Sequence, residues 1–191
     1  MKTAEPIKLH LACGTNVVKG KGWTNVDNNS DHNIKKGQLD LDWDLRKPLP
    51  YKDDSVDKIF HEHFIEHLPK AQGEAFLHDC YRVLEPGGSM RIGWPDTAKM
   101  IRAYVTHNKK YFNYVSKHVD GGMLFGTWDE LLVDFLYSWQ HRYGYTRKHL
   151  KQLLLHIGFK DAKYKKYRQS DYGFDIDARN DPATTYIEVI K

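Results

Sequence analysis

The sequence of 191 residues contains only two cysteines, Cys13 and Cys80, and they lie far apart. A small secreted domain stapled by disulfides would carry more of them. Two free thiols are typical of a reducing compartment, so we expect a cytoplasmic protein. The segment before the first glycine contains no apolar run of the kind found in secretory signals, and no leader is therefore expected.

Long apolar runs and a strong charge of one sign are also missing. No stretch approaches the roughly 18 uncharged apolar residues that cross a bilayer, so no membrane partner is expected. The net charge of +4 is small for a protein that holds nucleic acid by neutralising phosphates. The most basic segment, residues 160–168, is better explained as a strand with one lysine-rich, solvated face than as a nucleic-acid site.

The chain has neither internal repeats nor a linker that would divide it, and its length fits one domain over residues 1–191. Short apolar runs that stop at glycine, proline or polar clusters alternate with helical patterns. Strands are predicted at residues 7–11, 23–26, 38–41, 55–60, 89–94, 160–168 and 184–190, and helices at 71–84 and 147–157. This alternation predicts an α/β fold with a mostly parallel sheet.

Two residues in the first part of the chain stand where such a sheet binds ligands. Gly14 directly follows the first predicted strand, and a glycine there lets the backbone approach a ligand closely. Asp27 ends the second strand, where a carboxylate can accept hydrogen bonds from a pair of ribose hydroxyls. The alternative is that both residues serve only the local turn and strand end.

The ordered series LHLACG, GWTNVD, DLRKPLPYKDDSVDKIF, EHFIEHL and YRVLEPGGSMRI resembles the class I S-adenosylmethionine-dependent methyltransferases, in particular a small bacterial type. The resemblance covers residues 7–95 and continues more weakly through HLKQLLLHIGFKDAKY. It implies a Rossmann-like sheet of about seven strands, mostly parallel with one late antiparallel strand, and helices on both faces. It also implies S-adenosyl-L-methionine as cofactor and methyl transfer to an unidentified acceptor, which we expect to be a small molecule.

The resemblance assigns roles to the first two strand ends. Ala12, Cys13 and Gly14 would offer backbone groups to the methionine part of the cofactor. Asp27 would hold the ribose, with Asn28 beside it. The family's longer form has a full helix between these strands, whereas only residues 15–22 are available here, so we expect a turn. The G-x-G-x-x-G fingerprint of dinucleotide-binding proteins is missing from the sequence.

The resemblance also assigns the next two strand ends. Asp44 and Leu45 match the adenine contacts of the family, as a carboxylate for the exocyclic amine and an apolar flank for the ring. Asp42 competes with Asp44 because the run DLDWDLR leaves the register open. His61 and Glu62 match the place where the family's backbone meets the amino group of the cofactor.

Two histidines are candidates for a general base that would accept a proton from the methyl acceptor, His63 and His141. His141 lies at the end of an aromatic, predicted helical insert, residues 97–145, which would cover the acceptor site. The aromatic residues of this insert either line an acceptor pocket or form the core of a helical cap: Trp128, Phe135, Tyr137 and Trp139. The absence of an N-P-P-Y type motif argues against methylation of DNA bases.

An alternative function follows from His63, Glu66 and His67, which spell the H-x-x-E-H pattern of inverted zinc peptidases. That pattern requires a long, regular helix, yet a strand is predicted just before it and Pro69 follows closely. We therefore expect no metal site and rank a zinc hydrolase below a methyltransferase. A methyltransferase-like binding module without turnover is the second alternative.

Overall fold

The computed structural model describes residues 5–28, 34–35, 37–119 and 122–191. Its strands are β1 (Lys8–Leu11), β2 (Trp23–Asp27), β3 (Leu41–Asp42), β4 (Val56–Glu62), β5 (Leu84–Pro95), β6 (Lys160–Lys165) and β7 (Thr184–Ile190). They form one seven-stranded sheet in the order β3-β2-β1-β4-β5-β7-β6. The first five strands run parallel, and β7 is antiparallel to β5 and β6. This confirms the predicted fold class, including the single late antiparallel strand.

The helices are α1 (Lys70–Val83), α2 (Thr97–Val105), α3 (Lys109–Val115), α4 (Trp128–Tyr137) and α5 (Arg147–Ile157). Local signals set the bounds of α5. The Thr146 side chain accepts a hydrogen bond from the backbone N–H of His149, and Gly158 ends the helix with a φ of 122°. Among the described residues, no helix has both the length and the apolar character needed to cross a membrane.

Helices α1 and α5 cover one face of the sheet. Phe76 and Leu77 of α1 and Leu150 of α5 pack there against buried strand residues such as Ile59 and Met90. Because side chains alternate between the two faces of a strand, every second strand residue joins this core. The packing of two amphipathic helices on the apolar strands explains why the sequence pattern identifies both helices.

The opposite face, where helices were also predicted, is covered in the described part of the chain by irregular segments. Residues 12–22 connect β1 to β2 without a helix, as their number predicts. Phe174 and Ile176, from the connection between β6 and β7, pack instead on Trp23 and Phe60. Eleven residues are too few for a helix that crosses between two adjacent parallel strands, so a later segment provides the cover.

A buried ion network fixes this later segment to the sheet. The Arg91 guanidinium donates to Asp177 Oδ1 at 2.7 Å and to Glu188 Oε1 at 2.8 Å, and all three side chains are fully buried. Arg91 also donates to the backbone carbonyls of Lys166 and Gln169. Buried charges need such partners, and here they determine the path of residues 166–177 across the sheet.

Helices α2, α3 and α4 form the predicted insert and have a core of their own, with Met100, Tyr111, Leu131 and Phe135 buried in it. The insert follows β5, and Lys99 ties it to the first residue of β7 by donating to the carbonyl of Thr184 at 2.6 Å. It therefore stands beside the carboxyl end of the parallel strands, where an open α/β sheet binds its ligands.

Candidate functional site

A cavity of about 1000 Å³ opens at the carboxyl ends of β1 to β4. The strand order reverses between β1 and β4, and an open α/β sheet binds ligands at such a point. Four strand ends supply the floor: residues 12–16 after β1, 27–28 at the end of β2, 43–46 after β3, and 62–64 at the end of β4. The size of the cavity is that of a site for a nucleoside-sized ligand.

The ends of β1 and β2 are joined by a carboxylate. Asp27 is buried, and its Oδ2 accepts a hydrogen bond from the Gly14 backbone N–H at 2.7 Å. Its Oδ1 accepts one from the N–H of Asn28, also at 2.7 Å. Gly14 has a φ of 52°, and a Cβ there would meet open space, so a ligand can reach the backbone of this turn.

Eight of the nine residues predicted to bind a cofactor line this one cavity: Ala12, Cys13, Gly14, Asp27, Asn28, Asp44, Leu45 and Glu62. The exception is His61, whose side chain points to the other face of the sheet. Its ring lies edge-on to those of Phe64 and Phe76, at centroid distances of 6.3 and 5.2 Å. Of the two competing aspartates, Asp44 lines the cavity and Asp42 does not.

The end of β3 offers a mixed polar and apolar wall. The Arg46 side chain holds the Asp44 carboxylate through Nε at 2.8 Å and Nη2 at 3.0 Å, and this hydrogen bonding lowers the pKa of Asp44. Leu45 is buried next to it. The half-buried Trp43 also lines the cavity. This role was not predicted, although an aromatic residue within the DLDWDLR run was the available signal.

Glu62, at the end of β4, connects the floor to the segment that follows Asp177. Its carboxylate accepts hydrogen bonds from the backbone N–H groups of Ala178 and Arg179 at 3.3 and 3.2 Å, and from the Tyr186 hydroxyl. Burial raises the pKa of Glu62. Ala178 and Arg179 line the cavity, and the polar loop that contains them gave no sequence signal for this role.

His63, the first candidate base, lines the cavity and has a φ of 51°. Its Nε2 lies 2.6 Å from Thr184 Oγ1, and that hydroxyl is 2.7 Å from Asp181 Oδ2. Because Thr184 donates its hydrogen to Asp181, it accepts from His63, so the neutral ring carries hydrogen on Nε2 and a lone pair on Nδ1. Burial lowers the pKa of His63, which keeps the ring neutral near pH 7.

His141, the second candidate, lies beside the cavity-lining residues Gln140 and Arg142 but is not itself in the lining. Its Nδ1 donates to the carbonyl of Phe135 at 2.6 Å, and its ring lies 5.1 Å from that of His67. Burial lowers the pKa of His141 as well. The structure thus separates the two candidate bases, with only His63 facing the cavity.

The backbone around the H-x-x-E-H pattern differs from that of a zinc peptidase. Strand β4 continues to Glu62, and only a three-residue 3-10 helix, Ile65–His67, follows before Pro69. A regular helix that would place His63 and His67 one turn apart is not formed by residues 62–69, all of which the structure describes. Glu66 is buried within this short helix, and burial raises its pKa to about 8.

The aromatic residues of the insert divide between the two predicted roles. Trp139 lines the cavity, together with Gln140 and Arg142. Phe135 is buried in the core of the insert, Trp128 packs on that core, and Tyr137 is 71% exposed. The insert therefore reaches the cavity through its last residues, and most of its aromatic surface serves its own packing.

The fold has many structural relatives. A methyltransferase from Archaeoglobus fulgidus superposes with a TM-score of 0.63 at 18% identity, over 97% of this chain and 86% of that one. A Thermotoga maritima methyltransferase superposes with a TM-score of 0.59 at 16% identity, over 100% of this chain and 84% of that one. Human N-acetylserotonin methyltransferase, in complex with S-adenosylmethionine, gives 0.55 at 18% identity, over 97% and 47%. No curated protein sequence matches the chain.

The strand order, the cavity at the point of reversal and these structural relatives define a class I methyltransferase fold. Residues 9–92 match the family model described as a methyltransferase domain. The whole chain therefore has the fold of this class, and its first part is similar to a methyltransferase domain.

Proposed function

We propose that the chain binds S-adenosylmethionine in the cavity and catalyses transfer of its methyl group to a small-molecule acceptor. The observation that carries the proposal is the convergence of four strand ends on one cavity, with a carboxylate at the end of β2. Residues from Ala12 to Glu62, far apart in the sequence, meet there.

The residues present fit this cofactor. The backbone of the turn at Ala12–Gly14 would hold its methionine part, and the Asp27 carboxylate its ribose hydroxyls. Asp44 and Leu45, with Trp43 beside them, offer the carboxylate and the apolar surface that an adenine ring requires. Bound there, the cofactor supplies a methyl group that is already activated by its sulfonium.

The chain's own contribution is to bind both reactants and hold them in line, which can supply much of the acceleration. Trp139 and Gln140, from the end of the insert, would close the acceptor side and limit access of water. His63 is the proposed base for an acceptor that must lose a proton, because its ring is neutral, lines the cavity and has its tautomer fixed by Thr184.

Binding and turnover test the proposal separately. Isothermal titration of the full chain with S-adenosylhomocysteine should give one site with micromolar affinity. Incubation with methyl-labelled S-adenosylmethionine and a panel of small alcohols, amines, phenols and carboxylic acids should then release S-adenosylhomocysteine for at least one acceptor. Absence of cofactor binding would remove the proposal. Binding without turnover across the panel would favour the methyltransferase-like binding module.

A further inference from the structure

Glu66 is a buried carboxylate without a hydrogen-bond partner in the described part of the chain. Its side chain is 2% exposed, and two imidazole nitrogens, His63 Nδ1 and His67 Nε2, lie 3.6 and 3.8 Å from Oε1, beyond hydrogen-bond distance. A carboxyl group buried without a hydrogen bond destabilises the fold unless a donor or a cation compensates it. No described donor is within hydrogen-bond distance, so a cation held between the carboxylate and the neighbouring imidazoles would compensate it.

Two imidazoles stand next to this carboxylate. Nitrogen atoms of His67 and His141 and an oxygen of Glu66 all lie within 4.8 Å of one another, and His67 Nε2 is 3.8 Å from Glu66 Oε1. The two rings are 5.1 Å apart. The three residues come from two segments, the 3-10 helix before α1 and the end of the insert, so the sequence pattern alone could not assemble them.

The orientation of His141 suits a metal ligand. Its Nδ1 donates to the Phe135 carbonyl at 2.6 Å, so the hydrogen of the neutral ring is on Nδ1 and the lone pair is on Nε2. Histidines that bind metals usually have their second nitrogen held by a carbonyl or carboxylate in this way. The backbone N–H of Arg142 donates to the Glu66 carbonyl at 2.7 Å, which fixes the two segments to each other.

We propose that Glu66, His67 and His141 form a binding site for a divalent transition-metal ion such as Zn²⁺, at the acceptor end of the cavity. Two imidazole nitrogens and one carboxylate oxygen form a donor set that Zn²⁺ accepts, at distances of about 2.0–2.2 Å. The site departs from the H-x-x-E-H arrangement because His141 takes the place of His63.

Three protein ligands leave a coordination position open, as in catalytic zinc sites. His67 lines the cavity, so an acceptor bound there can reach the ion. A hydroxyl or carboxylate oxygen of the acceptor could then coordinate it, and coordination would lower the pKa of a hydroxyl. This last step rests on the proposed methyl transfer, whereas metal binding itself does not.

The test uses the untagged full chain, stripped of metal with a chelator. Titration with Zn²⁺ against a chromophoric competitor should give one tight site per chain. Glu66→Gln, His67→Gln and His141→Gln should each weaken it at least tenfold. His156→Gln, on the exposed side of α5, is the matched control and should leave it unchanged. Co²⁺ should give the visible absorption of a low-symmetry site in the wild type and lose it in His67→Gln.

Thermal unfolding of each variant shows whether it folds. His67→Gln is the variant that should disturb folding least, because the His67 side chain is 36% exposed. Absence of stoichiometric Zn²⁺ binding by the wild type overturns the metal site. Zn²⁺ binding by the three variants that equals binding by the wild type also overturns the site, because the ion would then be held by other, adventitious histidines. Titration of the same proteins with S-adenosylhomocysteine separates the two proposals: cofactor binding that persists without metal binding refutes the metal site alone.

Discussion

The carboxylate of Asp27 accepts a hydrogen bond from the backbone N–H of Gly14, with 2.7 Å between Oδ2 and N. One contact thus joins the end of β2 to the turn after β1, the two parts of the chain that would hold the ribose and the methionine part of a cofactor. A change at Asp27 removes the proposed ribose acceptor and at the same time loosens the turn.

Asp27→Ala should therefore weaken the binding of S-adenosylhomocysteine by about tenfold or more, the size expected when a charged hydrogen-bond acceptor is lost. Isothermal titration measures the change. Asp175→Asn, which alters an exposed carboxylate outside the cavity lining, is the control and should bind as the wild type does. Equal affinity for wild type and Asp27→Ala would refute the assignment of the ribose site.

A pair of variants can decide which of two aspartates, Asp42 or Asp44, contacts the adenine ring. Asp44 lines the cavity and Asp42 does not, so Asp44→Ala should weaken S-adenosylhomocysteine binding by about tenfold, while Asp42→Ala should change it little. Arg46 holds Asp44 in place, and Arg46→Ala should produce part of the same loss. The reverse order of effects would place the contact at Asp42.

Acid should destabilise the fold through His10. Burial lowers the pKa of this side chain from 6.5 to about 4. Between these values the unfolded chain binds a proton at His10 and the folded chain does not, so the free energy of unfolding falls as the pH falls from 6.5 toward 4. The difference between the two pKa values corresponds to a loss of about 3 kcal/mol in the free energy of unfolding. Urea unfolding at a series of pH values measures this slope.

His10→Gln provides the comparison, because the amide can still hydrogen-bond to Asn25 but cannot titrate. The variant should lose less stability than the wild type over the same interval. The carboxylates contribute equally to both proteins, so the difference between the two curves isolates the histidine. Parallel curves would show that His10 does not remain neutral in the folded protein.

The buried ion network predicts a large loss of stability on Asp177→Ala. Removal of this carboxylate leaves the buried Arg91 with Glu188 as its one charged partner among the described residues, and breaking such a pair typically costs about 3–5 kcal/mol. Lys163→Ala, which removes an exposed pair with Asp161, should change the free energy of unfolding little. Chemical unfolding compares the two variants, and similar small losses would mean that the network is not a stabilising element.

Local features allowed much of the fold to be predicted from the sequence. Helix α5 has the predicted bounds because Thr146 and Gly158 act within one turn of its ends. The proline and glycines at 86–88 correctly marked the end of α1. The next strand was predicted to start after these residues, at residue 89, but β5 begins at Leu84. Leu84 already pairs with Val56 of β4, and the register shifts between Val56 and Lys58.

The place of a candidate residue in the fold was predictable where the residue directly follows a strand. Eight of nine cofactor candidates line the cavity because parallel strands end at one edge of a sheet, whatever else the chain does. His61 and Glu62 show the limit of that argument. They are neighbours in β4, yet the alternation of side chains sends one into the packing under α1 and the other into the cavity.

The sequence by itself determined the strand ends, the short turn between β1 and β2 and the acidic residue at Asp27, because these depend on residues close together in the chain. Only the tertiary structure decided which distant segments complete the site. Ala178 meets Glu62 across 116 positions, and His141 meets His67 only because the insert folds back on the sheet. Such contacts depend on how packed elements come together in space, which no local pattern of residues encodes.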